Sequence, residues 1–554
     1  MKPIRPMGMP FDIVVKLPVA LDQPVTGVEV TFEGPDGSSI CMPAFRSGDG
    51  RMKARFAAAT AGPHRWSARE QGSEKPFRTG VFDVAPVPEH DTRPALYREG
   101  RLRVASNRRT LEHANGKPFL WLGDTWWFGL TRRLDWPRGF RQLTADRVSK
   151  GFNVIQIVAG PLPDLDAVDN PFDIQQEGDG GPSWSDGWGG LNAAYFDAAD
   201  RRIACLVEQG LVPCIVGMWG YFLPFMGIER VKQHWRELVA RYAAYPVVWC
   251  IAGESNMVTY SIDSAERAKA LREEQETGWT DVARYVRTLD PYRNPITVHP
   301  SRPDSKAMVR DVSVLDVDML QTGHSGYDSL KPSVEMLKAC SASEPRMPTL
   351  IGEVNYEGIM GGNREEVQRF LVWASLMDGA CGFTYGAQGI WQMSARQDPH
   401  RGYTGCWGRG VWEDAMHYPG SCQVGLARRL FERYAWPRFT VRSEPKAEEQ
   451  GRISTLACGI PGEVALFYLP VNCLSGPLAG LNGSWSGGLL EIAIEPGAKY
   501  RAWWYDPRTG DEIRTYVARS NRSVTMGLVI PRADGYWTPP PKPAMDDWVL
   551  VLER

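Results

Sequence analysis

Between about Pro94 and Tyr434, eight short apolar runs recur, separated by stretches of helical period, and this recurrence restricts the chain to very few folds. The runs are Phe119–Asp124, Asn153–Val158, Leu211–Trp219, Val247–Glu254, Pro295–Pro300, Val314–Gln321, Thr349–Glu353 and Cys381–Gly386. Helical stretches lie near Gly139–Lys150, Ala193–Gln209, Ile228–Tyr242, Ser264–Leu289, Ser329–Cys340, Glu365–Asp378 and Gln423–Tyr434. Repeated strand-helix units imply a parallel sheet. About eight of them over roughly 330 residues predict a closed (β/α)₈ barrel with insertions. A doubly wound open sheet would carry a Gly-rich phosphate turn after its first strand, and Gly123-Asp124-Thr125-Trp126-Trp127 is not one.

The grammar is different on either side. From about Met9 to Ala85 short alternating runs (Val28–Phe32, Met52–Phe56, Gly62–Ala68, Thr79–Val84) are punctuated by turns such as Gly34-Pro35-Asp36-Gly37. That predicts a small antiparallel β-sandwich, with Ala85–His90 as a linker. Beyond about Arg438 the runs Val464–Leu469, Leu489–Ile494, Tyr500–Tyr505 and Trp548–Leu552 predict a second β-sandwich packed against the barrel. The expected domains are 1–92, 93–437 and 438–554.

In such a barrel the chemistry sits at the C-terminal ends of the strands. Those ends supply Asp124, Gln156, Trp219, Glu254, His299, Gln321 with His324, Glu353 with Tyr356, and Tyr385 with Gln388 and Trp391; Trp126 and Asn256 lie immediately beyond two of them. Glu254 and Glu353 close the fourth and seventh strands, which face each other across the mouth. Two carboxylates facing across a sugar suit glycoside cleavage: one protonates the leaving oxygen, and the other attacks the anomeric carbon or activates water. Glu254 follows a very apolar strand and reads as the acid/base; Glu353 reads as the nucleophile, held by the phenol of Tyr356. The competing reading of either glutamate is a buried ion pair with an arginine. Asp124, Trp126, Gln156, Trp219, Asn256, His299, Gln321, His324, Tyr356, Tyr385, Gln388 and Trp391 are expected to bind substrate, Asp124 as a hydroxyl binder. His299 and His324 could ligate a metal, but without HExxH or a close His/Asp cluster they read as sugar-binding, and no metal or cofactor is expected. The loop of 160–192, with Asp164, Asp166, Asp169 and Asp173, lacks the Gly and Glu of a calcium loop and reads as solvated, with Trp184 and Trp188 as a subsite wall.

Composition narrows the partners. Net charge is -2 and there is no basic block, which argues against nucleic acid. No apolar run approaches a membrane span and the start has no signal-peptide core, so a cytoplasmic location is expected; a homo-oligomer stays open. The 10 Cys are scattered and read as reduced, buried residues. The 21 Trp are expected mainly in cores, with some offering flat faces to an oligosaccharide or glycoside substrate. A non-catalytic carbohydrate-binding protein on an inactive barrel and a lyase or other sugar-modifying enzyme are the alternatives to a hydrolase.

Several motifs resemble the apiosidase-like glycoside hydrolases: Asn115–Trp127, Gly151–Gln156, Gln321-Thr322-Gly323-His324 and Tyr385–Trp391. The N-terminal sandwich is similar to a module of that family, and Trp504–Gly510 to its collagen-binding-type C-terminal sandwich, so the resemblance covers nearly the whole chain. It implies exo-acting hydrolysis of a plant or microbial polysaccharide side chain, with the branched furanose apiose as the known theme; the reading of Glu254 as acid/base and Glu353 as nucleophile makes the expected mechanism retaining. The family's acid/base is usually an aspartate after Gly-Gly. Here the matching place reads Ala252-Gly253-Glu254, and the longer side chain leaves the sugar specificity open. The nucleophile maps onto Glu353.

Overall fold

The apolar runs are continuous, not alternating, because both faces of a barrel strand are covered, one by the interior and one by the helix layer. The computed structural model describes residues 3–18, 27–163, 177–258, 262, 264–397, 407–442, 456–470, 491–517 and 522–554. Its centre is an eight-stranded parallel sheet: Trp121–Trp126 (β1), Val154–Val158 (β2), Val212–Val216 (β3), Val248–Cys250 (β4), Ile296–Thr297 (β5), Asp318–Gly323 (β6), Thr349–Val354 (β7) and Gly382–Tyr385 (β8). β1 pairs with both β2 and β8. The seam between β5 and β6 is closed by the amides of Asp316 and Val317 donating to the carbonyl of Ile296. The sheet is therefore a (β/α)₈ barrel.

Among the described residues seven long helices surround it: Arg138–Lys150 (α1), Ala193–Glu208 (α2), Ile228–Tyr242 (α3), Ala265–Leu289 (α4), Leu330–Ala342 (α5), Glu365–Met377 (α6) and Pro419–Phe431 (α7). Asn192 and Ser264 cap α2 and α4 through their side chains. β5 is followed only by the short turns Ser305–Met308 and Val312–Val314, so Val314 belongs to a turn and β6 starts later than its apolar run suggests. α7 starts earlier than its apolar period, at Pro419, where a proline needs no hydrogen-bond partner.

The N-terminal unit is two packed sheets around Val30, Phe32, Phe56 and Phe82, with Phe32 and Phe56 stacked at 4.3 Å. It departs from the expected all-antiparallel form in one place, where Ile4–Pro6 adds parallel to Arg78–Ala85. Arg55 and Arg241 seal this unit to α2 and α3: Arg55 meets Asp200, and Arg241 donates to the carbonyl of Arg46. At the other end a six-stranded antiparallel sheet turns Leu466, Tyr468, Trp503 and Val549 toward α6 and α7. Trp373 of α6 stacks on Tyr468 at 5.8 Å, and Arg369 pairs with Asp547 at 2.8 Å. The opposite face of that sheet carries Phe467, Trp504 and Leu550 and is covered by two short ribbons. Among the described residues no helix is long and apolar enough to cross a membrane. Asp164, Asp166, Asp169 and Asp173 of the acidic loop, and Leu489 and Leu490, lie outside the described residues.

Candidate active site

Past their last paired residue, the strands are still tied together at the barrel mouth. Gly253 N–H donates to Met218 O, His299 N–H to Ala252 O, and Ser255 N–H to His299 O. These bonds fix the backbone on both sides of Glu254, which itself takes a left-handed conformation (φ 38°). A non-glycine residue is held there at a cost of about 1–3 kcal/mol, and such strain gathers at functional sites. Gly253 lets the indole of Trp219 lie against the turn, since a Cβ there would be 2.3 Å from the ring. The loop after β7 is anchored by Asn355, whose amide exchanges two hydrogen bonds with the backbone of Gly326, next to the loop that carries His324.

The two glutamates are brought together. Gln321 Nε2 donates to Glu254 Oε1 at 3.0 Å and to Glu353 Oε1 at 3.2 Å. Those oxygens therefore lie no more than about 6.2 Å apart, the two bonds laid end to end. Two acceptors on the diverging hydrogens of one amide nitrogen sit about 5.4 Å apart. Glu254 also accepts from Trp219 Nε1 at 3.1 Å. Glu353 is almost fully buried; His324 Nε2 lies 2.8 Å from its Oε1 and His299 Nε2 3.3 Å from its Oε2.

The surroundings drive the two carboxyls apart. Burial, and next the negative charge of Glu353, push Glu254 above the usual carboxylate range, against the lowering hydrogen bonds from Gln321 and Trp219. Burial also opposes ionisation of Glu353, but the hydrogen bonds and charges of His299 and His324 outweigh it and hold Glu353 well below that range. Burial works against the charged form of His299 too, and Glu353 overcomes it, raising the imidazole. A raised carboxyl beside a lowered one is the arrangement that lets one pair act as acid and nucleophile.

The cleft between them measures ≈ 180 Å³ and is walled mainly by aromatic side chains: Trp127, Trp219, Tyr221, Tyr356, Trp391 and Trp407. Of the residues expected to bind substrate, Trp219, Gln321, His324, Tyr356 and Trp391 line it. The others do not. Asp124 and Trp126 lie on the outer face of β1, fully buried against α1. Asp124 Oδ2 is paired with Arg147 at 2.6 Å and accepts from Trp126 Nε1, so Asp124 is a structural ion pair and not a hydroxyl binder. Gln156 points into the barrel and donates across it to Gly352 O. His299 is fully buried, its ring 5.3 Å from that of Trp127, and it meets Glu353 instead of a sugar. Tyr385 donates to Glu357, and Gln388 accepts from Trp391 Nε1. Asn256 accepts from Ser301 N–H, outside the cleft lining. The phenol of Tyr356 faces Glu353, and the two histidines hold that carboxylate more directly. Trp184 and Trp188 pack into a cluster with His234 and Phe222 and do not line this cleft.

Trp127, Tyr221 and Trp407 enter the wall without having been singled out as ligands. Trp127 was legible as the last residue of a strand-end motif; Tyr221 and Trp407 stand in loops that periodicity does not place. Glu357 is another buried carboxyl, raised to about 7 chiefly by burial, and it accepts from Tyr385 Oη and Gly420 N–H behind the cleft. Among the described residues one group has the spacing of metal ligands, Asp304, Asp318 and Cys340. Lys306 already supplies the positive charge there, 3.2 Å from Asp318.

A family model described as the apiosidase-like catalytic domain matches residues 105–438. The chain belongs to the apiosidase-like family. It is a glycoside hydrolase. No curated protein matches it. Its fold is similar to that of a solved glycoside hydrolase, 21% identical, with a TM-score of 0.62 over 83% of this chain and 98% of that one. It is also similar to a glycoside hydrolase family 5 structure from Bacteroides vulgatus, 21% identical, with a TM-score of 0.63 over 82% of this chain and 94% of that one. The match to the apiosidase-like model spans every strand of the barrel and both glutamates.

Proposed function

We propose that this apiosidase-like hydrolase removes a terminal neutral sugar, of furanoside type, from a plant or microbial glycan with retention of configuration. The observation that carries the mechanism is the single amide nitrogen shared by the two carboxylates. It keeps them near the ~5–5.5 Å of retaining enzymes and below the ~6.5–9.5 Å that leaves room for an inverting water. In the first step Glu353 attacks the anomeric carbon while Glu254 gives its proton to the departing glycosidic oxygen. A glycosyl ester on Glu353 results. Glu254, now a carboxylate, takes a proton from water; the water oxygen bonds to the anomeric carbon, and Glu353 leaves as a carboxylate.

The cleft supports a single ring. Its ≈ 180 Å³ is below the ~300–1,000 Å³ of a site for a larger ligand. Lysine and arginine are absent from its described lining, so it favours a neutral sugar over a uronate and a hydrolase over a uronate lyase. The furanoside part of the reading comes from the family's apiosidase-like description.

The test is a panel of aryl furanosides and pyranosides with the product anomer followed by NMR. The first-formed anomer is expected to match the substrate's. Glu353→Gln is expected to lower kcat by roughly 10⁴-fold or more while the protein stays folded. An inverted first product overturns the retaining mechanism, and near-normal turnover by Glu353→Gln removes Glu353 from the role of nucleophile.

A further inference from the structure

Among the described residues Gln321 has one nitrogen within hydrogen-bond reach of both glutamates. It is the last-but-two residue of β6, 6% exposed, and its Nε2 touches both members of the carboxylate pair. The ionised oxygen of Glu353 calls for a donor, which places Nε2 and not Oε1 of the amide between the two carboxyls. The orientation leaves Gln321 Oε1 buried and without a hydrogen-bond partner among the described residues. A buried acceptor left unpaired is costly, so the two N–H bonds must outweigh it for the side chain to stay as it is.

We propose that Gln321 is a positioning residue that sets the distance between Glu254 and Glu353 and shares one donor group between them. The proposal rests on the retaining two-carboxylate reading. Spacing is what separates a direct attack by Glu353 from a water-mediated one, and a misplacement near 1 Å is worth about 100-fold in rate. β6 is suited to the task. It pairs with β7, which carries Glu353, and its register with β7 shifts on both sides of Gln321. Such an irregularity re-aims a side chain at the end of a strand.

Other groups also face the pair, and they stay in place when Gln321 is changed. Glu254 faces Trp219, His299 and Glu353. Glu353 faces His299, His324 and the phenol of Tyr356. Removing the donor destabilises both anions, so both carboxyls should protonate more readily.

Gln321→Met keeps the length and loses the donor. We expect kcat on an aryl glycoside to fall by about 100-fold. The bell-shaped pH profile should move to higher pH on both limbs. A second reading needs no turnover: ¹³C NMR titration of side-chain-labelled glutamates, assigned with Glu254→Gln and Glu353→Gln, should show both midpoints moving up in Gln321→Met. Unmoved midpoints overturn the proposal even if activity falls, since loss of a substrate contact alone would leave them in place. Should Gln321→Met fail to fold, Gln321→Leu serves: it too lacks the donor and adds no charge, and both midpoints should again move up. Wild-type midpoints in Gln321→Leu overturn the proposal. If the wild type cleaves none of the glycosides, the hydrolytic reading fails separately, and the NMR result still decides the role of Gln321.

Discussion

At the scale of single residues, the site works by giving two identical side chains different surroundings. Glu254 has one indole donor, a shared amide and a negative neighbour; Glu353 has two imidazoles. The reactive form needs Glu254 protonated and Glu353 ionised. The alkaline limb of the pH–rate profile is therefore set by Glu254, and it should fall above the ordinary glutamate range because burial and Glu353 raise this carboxyl. Glu254 also has a stability consequence. A group whose folded pKa is raised contributes stability that is fully present below its unfolded pKa and is lost as pH rises through the folded value. Glu254→Gln removes that loss. Its melting temperature relative to wild type should become more favourable as pH rises above the ordinary glutamate range, while turnover of a poor leaving group collapses. A difference in melting temperature that is flat with pH would argue against a raised Glu254.

At the scale of elements, the loops after β7 and β8 act as one piece. Glu357 N–H donates to Gly386 O, and Gln388 N–H to Glu357 O. Gly386 matters because a Cβ there would lie 2.1 Å from the ring of Tyr356, which lines the cleft. Gly386→Ala must push that ring into the sugar's place or spread the two loops. The expected cost is about 1–3 kcal/mol of stability. The drop in kcat/KM should be roughly 10-fold or more, read by thermal melting together with steady-state kinetics. Unchanged kinetics would mean that Tyr356 can shift freely. Glu353 was legible at this scale as the end of an apolar strand. The outward turn of Asp124 was not: the strand runs two residues past it, to Trp126, and only the true register with β2 and β8 reveals which face it is on.

At the scale of the molecule, the C-terminal sheet buttresses the helices behind β7 and β8. The Arg369–Asp547 pair, both partners buried, is its electrostatic fastening, and Tyr468 Oη donates to the same carboxylate. Arg369→Ala leaves Asp547 buried without its cation, a change that typically costs about 3–5 kcal/mol. We expect a lower melting temperature, with kcat on the remaining folded enzyme within about threefold of wild type because the pair touches no cleft residue. A variant as stable as wild type would show that the sheet holds by apolar packing alone.

The eight apolar runs, the change of grammar on either side of them and the glutamates closing the fourth and seventh runs were determined by the sequence, because hydrophobic period and strand-end position are local properties. The ring of ligands was only half readable, since a strand's alternation sends neighbouring residues to opposite faces and one residue of register decides which. Tertiary structure alone decided that Asp124 answers Arg147, that His299 and His324 both reach Glu353, and that Gln321 joins the two carboxylates. Each of these pairings joins separate elements, 23 or more residues apart in the chain. Their energies depend on distance and burial, which no stretch of sequence carries by itself.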